Sequence, residues 1–83
     1  MSSRTSIAAL WVENTIQLLV DEPDQVKVEV LEGESVSVIT VKVPKSDLGK
    51  VIGRQGIMAD ALRVFLNAFA GKMKTRYVLS IEG

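Results

Sequence analysis

Residues 47–58 read DLGKVIGRQGIM, and this stretch decides the fold. Gly53 and Gly56 enclose two polar residues between a short helical segment and a longer one. Glycine permits the sharp turn that two consecutive helices need, and it lets another backbone come close. The amides that open the second helix lack partners within it, and the helix dipole attracts anions there. The loop is therefore predicted to hold a sugar-phosphate backbone, with Arg54 supplying charge and Gln55 a neutral donor.

The Gly-X-X-Gly spacing carries little weight by itself. Because the chain has 6 glycines among 83 residues, roughly 0.4 such matches are expected by chance. The position of the loop supplies the specificity. An apolar strand and a short helix precede it, and a long amphipathic helix and a further strand follow it.

Before the loop, the apolar pattern changes from the period of a helix to that of a strand. A first helix is expected from about residue 6, with an apolar stripe along one face, and Pro23 ends it. Alternation then predicts an antiparallel hairpin of strands 26–31 and 36–43, with a turn at 32–34. The β-branched density of 36–43 favours a well-buried strand rather than an edge strand. The helical stripe consists of Ile7, Leu10, Trp11, Thr15 and Leu18, widened by Val12, Ile16 and Leu19.

After the hairpin, two helices and a strand are expected. Pro44 stops the second strand, and Ser46 is predicted to cap a short helix over 47–52. The long helix after the loop is predicted to end at Gly71. Alternation over 74–82 indicates the last strand. The long helix is expected to pack through one apolar face, made of Met58, Leu62, Phe65, Leu66 and Phe69.

The order α-β-β-α-α-β predicts an α+β fold. A strand followed by two helices and another strand implies a parallel crossover. The result is a three-stranded mixed sheet with helices packed on one face. All of 1–83 is assigned to a single domain, because a chain of this length has no room for a second core. Residues 1–5 are expected to be a frayed N-terminus.

The composition argues against an enzyme. The chain has no Cys and no His, which removes disulfides, thiolate metal sites and the commonest general base. Asp47 and Asp60 are too isolated to be a catalytic carboxylate pair, so neither a metal nor a cofactor is expected. The apolar run 7–12 is too short to span a bilayer, which needs about 20 residues. No signal-peptide cleavage site follows it, and a cytoplasmic location is expected.

The charge is unevenly divided along the chain, although the net charge is zero. Residues 1–41 hold 2 basic and 7 acidic residues, whereas residues 42–83 hold 8 basic and 3 acidic residues. Such asymmetry indicates a face that binds a polyanion. An ordinary mixed, solvated surface is the alternative that charge alone leaves open.

The chain closely resembles the small bacterial KH-domain proteins of the KhpA (YlqC) family in three segments: VKVP at 41–44, DLGKVIGRQG at 47–56 and ALR at 61–63. The resemblance extends over nearly the whole chain. It implies a type II KH domain that binds single-stranded RNA in the cytoplasm and self-associates as a homodimer. It also implies a heterodimer with a larger KH-containing protein of the KhpB, Jag or EloR type. An RNA-chaperone role, linked to cell elongation and cell-wall homeostasis, is described for that family.

The chain departs from the family pattern where the second helix begins. The family commonly continues the loop with Arg-Thr-Ala, whereas this chain has Ile57, Met58 and Ala59. A positive charge is therefore missing from the first helical turn, which predicts a weaker RNA affinity. The alternative hypothesis is that Ile57 and Met58 form an apolar protein interface.

RNA contacts are predicted around and beyond the loop. Lys50 resembles the basic residue that the family has before the loop, and a solvated lysine is the alternative. Ile52 is expected to be part of the groove floor, with Val51 in the core. Arg63 can reach a phosphate or pair with Asp60. The full set of predicted RNA-binding residues is Gly53, Arg54, Gln55, Gly56, Lys50, Ile52, Arg63, Lys72, Lys74 and Arg76.

Two aromatic residues are candidate stacking platforms for bases. Trp11 is expected in the core, because its neighbours are apolar rather than basic. Tyr77 is expected to pack on the sheet. A second function class also stays open: a protein-interaction module in which RNA contact is incidental. The zero net charge and Ile57 favour that class, whereas the glycine loop and the basic C-terminal half favour RNA binding.

Overall fold

The structure, a computed structural model, describes residues 4–83, without the side chains of residues 4–6, 69, 72 and 73. The helices and strands follow the predicted order, which confirms the α+β type II KH arrangement. Of the segment predicted to be frayed, residues 1–3 lie outside the described part. The elements are α1 (Arg4–Gln17), β1 (Lys27–Glu32), β2 (Val36–Lys42), α2 (Lys45–Ile52), α3 (Ile57–Met73) and β3 (Arg76–Glu82), with short 3-10 turns at Pro23–Gln25 and Arg54–Gly56.

The three strands form a mixed sheet in the order β1-β2-β3. β1 pairs with β2 in antiparallel fashion, with Val30 opposite Ile39. β2 pairs with β3 in parallel, with Ile39 opposite Leu79. The hairpin and the parallel crossover are therefore both confirmed, and β2 is the central strand, as its β-branched density predicted.

The core lies between the sheet and the helices. Along β2 every second side chain is buried, so that Ile39 and Val41 face the helices while Val36 is exposed on the other face. This alternation is the strand period that the sequence displayed. The buried apolar residues of the core are Ala8, Ala9, Val12 and Ile16 of α1, Val26, Ile39, Val41, Val43 and Val51, Leu62 and Leu66 of α3, and Tyr77 and Leu79 of β3.

The predicted stripe of α1 is right for Val12 and Ile16, which are fully buried, and wrong for three other members. Ile7, Leu10 and Leu18 are 60%, 55% and 86% exposed. The buried face combines Val12 and Ile16 with two alanines that the stripe did not include, and their small side chains let the helix backbone approach the sheet. Leu18 lies beyond the helix, which ends at Gln17 and not at the Pro23 segment.

Two other predicted helix ends are also wrong. Ser46 does not cap α2, because Pro44 occupies the capping position and accepts a hydrogen bond from the Asp47 amide at 2.9 Å. Gly71 does not end α3, which continues to Met73. Lys74 ends it instead, in the left-handed conformation with φ of 55°, and its N–H donates to the carbonyl of Gly71 at 3.3 Å.

Candidate nucleic-acid interface

The Gly53–Gly56 loop has a backbone that only a glycine-rich sequence adopts with ease. The Gly53 N–H donates to the Gly49 carbonyl at 2.8 Å and closes α2. Gly53 has φ of 80° and ψ of 172°, and Gly56 has φ of 77°. Gln55 shares the left-handed region, with φ of 57° and ψ of 25°. Residues other than glycine seldom adopt this region, so the backbone of Gln55 is strained at the exposed loop tip.

The two glycines have different surroundings. A Cβ on Gly53 would lie 2.7 Å from the Cγ and 2.9 Å from the backbone nitrogen of Met58. A Cβ on Gly56 would have nothing within 4 Å. Gly53 therefore lets α2 and α3 approach each other, whereas Gly56 leaves open space on the surface that a ligand backbone can use.

The side chains at the loop tip face solvent. Arg54 and Gln55 are both exposed. The fixed turn between α2 and α3 holds them, and the Gly56 N–H donates to the Gly53 carbonyl at 3.1 Å across the turn. The arrangement presents a guanidinium and a side-chain amide, which are both suitable donors to phosphate oxygens.

Lys50 is held by two carboxylates on the loop side of α2. Its ammonium lies 2.6 Å from Asp21 Oδ2 and 3.3 Å from Asp47 Oδ1. The hydrogen bond to Asp21, followed by that to Asp47, raises the pKa of Lys50. The Lys50 charge is therefore largely neutralised by its partners, and a role in RNA binding stays a prediction.

Asp47 is a buried carboxylate that the sequence did not single out for this role. It is 1% exposed and accepts the amide N–H groups of Asp21 and Glu22, each at 3.3 Å. Burial acts to raise its pKa, but these amides and the Lys50 ammonium outweigh burial, and the pKa lies below the ordinary value of 3.8. Asp47 thereby fastens α2 to the segment that joins α1 to β1.

Two neighbouring residues precede the loop, and the core position predicted for Val51 is confirmed, whereas a place for Ile52 in a groove floor stays a prediction. Val51 is fully buried in the core, and Ile52 is half-buried. Met58 is also half-buried and packs against Gly53. Ile57 is 66% exposed, so only the first residue of the predicted apolar pair is freely presented.

Arg63 connects α3 to the edge of the sheet. Its Nη2 donates to the Leu79 carbonyl at 3.2 Å, and its Nη1 lies 3.6 Å from Asp60 Oδ1. The Asp60 pairing was one of the two predicted alternatives. The contact with Leu79 was not predicted, because it joins positions 16 residues apart through the fold rather than through a local pattern.

A pocket of about 230 Å³ lies between α3 and β3. It brings together Arg63 and Arg76, which the sequence placed in the predicted set, with Asn67. Asn67 was missed, although its position four residues after Arg63 puts it on the same helix face. Tyr77, Val78 and Leu79 complete the lining.

The remaining predicted basic residues lie at the far end of α3. Lys74 is exposed just after the helix, and the Lys72 side chain lies outside the described residues. Seventeen residues of helix separate the loop from this end, a distance of about 25 Å. The predicted contacts therefore form two groups, one at the loop and one at the α3–β3 connection, with Arg63 between them.

Neither aromatic candidate is a free stacking platform. Trp11 is half-buried and stacks on Phe65 of α3, with ring centroids 3.9 Å apart and an interplanar angle of 17°. Phe65 is itself 45% exposed, which corrects its predicted place on the packed face of α3. Tyr77 is buried on the sheet, as expected.

The fold and loop agree with a match to a known family. The model of the KhpA/KhpB KH domain matches residues 10–81. This chain belongs to the KhpA/KhpB KH-domain family. The predicted resemblance is thus confirmed, and the family is one of non-enzymatic KH domains. No solved structure matches the chain.

Several bacterial relatives in the KhpA/KhpB family bear the name RNA-binding protein KhpA. The chain is 49% identical to the one from Aquifex aeolicus, over 84% of this chain and 89% of the relative. It is 43% identical to the one from Borreliella burgdorferi, over 84% of this chain and 85% of the relative. It is 46% identical to the one from Halalkalibacterium halodurans, over 84% of this chain and 92% of the relative. Within residues 4–83, no helix is long and apolar enough to cross a membrane.

Proposed function

We propose that this chain binds single-stranded RNA through the Gly53–Gly56 loop. The observation that carries the proposal is the fixed, exposed loop tip between α2 and α3 in a chain of the KhpA/KhpB family. Relatives that share 43% and 49% of its residues are named RNA-binding proteins. A KH loop clamps the RNA backbone and leaves the bases for the adjacent groove.

Each part of the loop has its own task in this proposal. Arg54 contacts a phosphate through its guanidinium, and Gln55 donates a neutral hydrogen bond. Gly56 admits the RNA backbone, because no atom lies within 4 Å of the position of a Cβ there. Ile52 contributes to the apolar floor, and Lys50 contacts RNA only by exchanging one of its carboxylate partners.

The other basic residues extend this interface along the edge of the sheet. Arg63 and Arg76 line the same pocket, and Lys72 and Lys74 flank the turn into β3. The apolar Ile57 offers no charge to the RNA at the first turn of α3. We therefore expect a low affinity for a single copy, whose groove accommodates about four nucleotides.

The direct test replaces Arg54 by Asp, alone and together with Gln55→Asp. Aspartate tolerates the left-handed region better than most residues, so the second change keeps the loop conformation. Fluorescence anisotropy with a labelled 12-nucleotide RNA should show at least a tenfold loss of affinity, with an unchanged melting temperature. Lys27→Asp is the matched control, because Lys27 is exposed on β1 and the change in charge is the same. Equal affinities of all variants would refute the proposal.

The salt dependence of binding gives a second test. About three phosphate contacts to a single strand should give a slope of roughly −2 in a plot of log affinity against log salt concentration. Arg54→Gln should make the slope less steep by roughly 0.7, the share of a single contact. A slope near zero for the unmodified chain would mean that the RNA backbone is not the ligand.

A specific surface favours a second function, self-association. The α3 stripe, which comprises Ile57, Ala61, Val64, Phe65 and Ala68, is apolar and exposed from the start of the helix to Ala68. Ile57 and Val64 are 66% and 69% exposed. Positions i, i+4, i+7, i+8 and i+11 lie on one helical face. This face lies roughly 140° around the helix axis from Arg63, so that it leaves the RNA groove free.

A second copy of the chain fits the α3 stripe best. The stripe carries no charge that would repel its own copy, and its two alanines let two α3 helices approach closely about a twofold axis. The Trp11–Phe65 stack continues the apolar surface onto α1. A domain of 83 residues buries a limited core by itself, so that a homodimer adds stability. The larger KH-containing partner of the KhpB, Jag or EloR type would take the place of the second copy.

Analytical ultracentrifugation over a range of concentrations tests the homodimer. The unmodified chain should be a dimer at high concentration, and Val64→Asp should be a monomer at every concentration. Leu31→Asp is the matched control, since Leu31 is 73% exposed on the opposite side of the sheet. A monomeric unmodified chain would refute self-association, and the addition of the larger partner would then show whether a heterodimer forms in its place.

The cellular role that we propose rests on the family resemblance. It is that of a cytoplasmic RNA chaperone or post-transcriptional regulator in the control of cell elongation and the cell wall. RNA crosslinking and sequencing, with and without the larger partner, would identify the transcripts bound. An absence of crosslinked RNA in both conditions would leave the interaction module as the function.

A further inference from the structure

The side chain of Arg63 contacts the free edge of β3. β3 has β2 on one side only in the sheet order β1-β2-β3. The Arg76 N–H donates to Ser35, and the Glu82 carbonyl accepts from Val43, so the even-numbered residues of β3 direct their backbone groups toward β2. Residues 77, 79 and 81 therefore direct theirs toward the free edge. At this edge the guanidinium of Arg63 donates a hydrogen bond to the Leu79 carbonyl.

This contact changes what the edge offers to a base. A free backbone carbonyl accepts a hydrogen bond from the amino group of adenine or cytosine. Here the Leu79 carbonyl accepts a hydrogen bond from Arg63 Nη2 at 3.2 Å. A base at this edge therefore meets the cationic hydrogen-bond donor of Arg63 and not a free carbonyl acceptor. Of the five N–H bonds of the guanidinium, one is directed to Leu79 and one toward Asp60, which leaves three.

The surrounding pocket has the same donor character. Arg76 adds a second guanidinium and Asn67 a side-chain amide beside Arg63. Its volume of about 230 Å³ is below the range for drug-sized ligands, which suits a single planar base. The side chain of Val78, which is 39% exposed, supplies an apolar surface against which a base can pack.

We propose that Arg63 makes this pocket selective for guanine, through hydrogen bonds to O6 and N7. These two acceptors lie side by side on guanine, and arginine binds them in a bidentate manner. Adenine presents an amino group in place of O6, which opposes a donor. The inference rests on the proposed RNA binding and names the base that the RNA presents at this point. It makes Arg63 a specificity-determining residue, held in position by Leu79 and Asp60.

The test uses eight-nucleotide oligouridines that carry a single purine at the centre. Anisotropy should show that guanine binds about tenfold tighter than adenine. Inosine, which keeps O6 and N7, should bind like guanine, and 7-deazaguanine, which lacks N7, should lose most of the advantage. The same octamers are then measured with Arg63→Gln and Arg63→Lys, whose melting temperatures are recorded. Arg63→Gln should lose the preference for guanine, and Arg63→Lys should keep only a small part of it, because the ammonium lacks the planar paired donors of arginine.

Arg54→Gln serves as the control variant. It removes a proposed phosphate contact, so it should weaken all octamers by the same factor and leave the ratio of guanine to adenine unchanged. Equal binding of guanine and adenine by the unmodified chain would overturn the inference. A uniform loss with Arg63→Gln would also overturn it and make Arg63 a phosphate ligand. If the unmodified chain bound none of the octamers, the proposed RNA binding itself would fail, and this inference with it.

Discussion

The Asp47 carboxylate, which is 1% exposed, lies 3.3 Å from the Lys50 ammonium one turn further along α2. The same carboxylate accepts the amides of Asp21 and Glu22 from the segment before β1. Lys50 closes the arrangement with its contact to Asp21. Because α2 ends at Gly53, this cluster fixes the helix from which the Gly53–Gly56 loop, the proposed RNA contact, extends.

The cluster predicts that Asp47→Asn destabilises the fold in a pH-dependent manner. The folded-state pKa of Asp47 is lowered, so its contribution is present above the ordinary value of 3.8 and is lost as the pH falls through the folded-state pKa. The melting temperature of the variant should therefore be lower than that of the unmodified chain at pH 7. The difference should shrink as the pH falls below 3.8, which calorimetry between pH 2 and 7 would measure.

Asp60→Asn is the control for this experiment. Asp60 is also an aspartate in contact with a basic side chain, at 3.6 Å from Arg63, but it is exposed. An exposed pair contributes little to stability, so the melting temperature should hardly change at any pH. If the difference in melting temperature between Asp47→Asn and the unmodified chain stayed constant down to pH 2, the ionised form of Asp47 would have no role in stability.

The order of helices and strands was predictable because the spacing of apolar residues along a segment indicates whether that segment is a helix or a strand. The change from helical to alternating spacing after Pro23 located the hairpin, and the two glycines located the turn between α2 and α3. The orientation of α1 was not predictable from the same signal. Apolar residues surround that helix on most sides, and only the sheet decides that Val12 faces inward and Ile7 outward.

The parts of the site that the sequence missed depend on contacts between distant segments. Asp47 meets Asp21 across 26 positions, and Arg63 meets Leu79 across 16. No spacing rule connects such pairs. The end of α3 was missed for another reason, since a lysine, Lys74, adopts the left-handed conformation that ends the helix, where a glycine was expected.

The two loop glycines should respond differently to alanine. Gly53→Ala should cost about 3 kcal/mol, since φ of 80° is strained and the Cβ would meet the Met58 backbone. Gly56→Ala should cost only about 1 kcal/mol, because its Cβ would meet open space and only the backbone strain of the positive φ remains. Gly49→Ala, inside α2 with nothing within 4 Å, should stabilise by about 0.5–1 kcal/mol. Urea unfolding measures all three.

Gly56→Ala should separate RNA binding from stability. Its Cβ would stand where we propose that the RNA backbone approaches, so affinity should fall at least fivefold while the fold survives. Gly49→Ala should show the opposite behaviour, with gained stability and little change in affinity. Equal unfolding costs for Gly53→Ala and Gly56→Ala would show that the contact with Met58 has no influence on the loop.

Lys74→Gly should raise stability and lower RNA affinity together. Glycine relieves the left-handed strain at the end of α3, worth about 1 kcal/mol. The loss of the ammonium should weaken RNA binding a few-fold. Lys74→Ala removes the same charge without relieving the strain, so it should share the loss of affinity but not the gain in unfolding free energy. Identical stabilities of the two variants would mean that φ of 55° carries no cost here.

Self-association through the α3 stripe should affect RNA binding only when the RNA is long enough to reach two loops. A tetranucleotide engages a single groove, so Val64→Asp should leave its affinity unchanged. A 30-nucleotide RNA can bridge both copies, and the second contact then becomes intramolecular, which raises avidity by a factor of up to about 100 without new contacts. Val64→Asp should remove that gain, whereas the control Leu31→Asp should retain it. Equal losses with the short and the long RNA would instead place Val64 within the RNA groove, because only a direct contact weakens the binding of both.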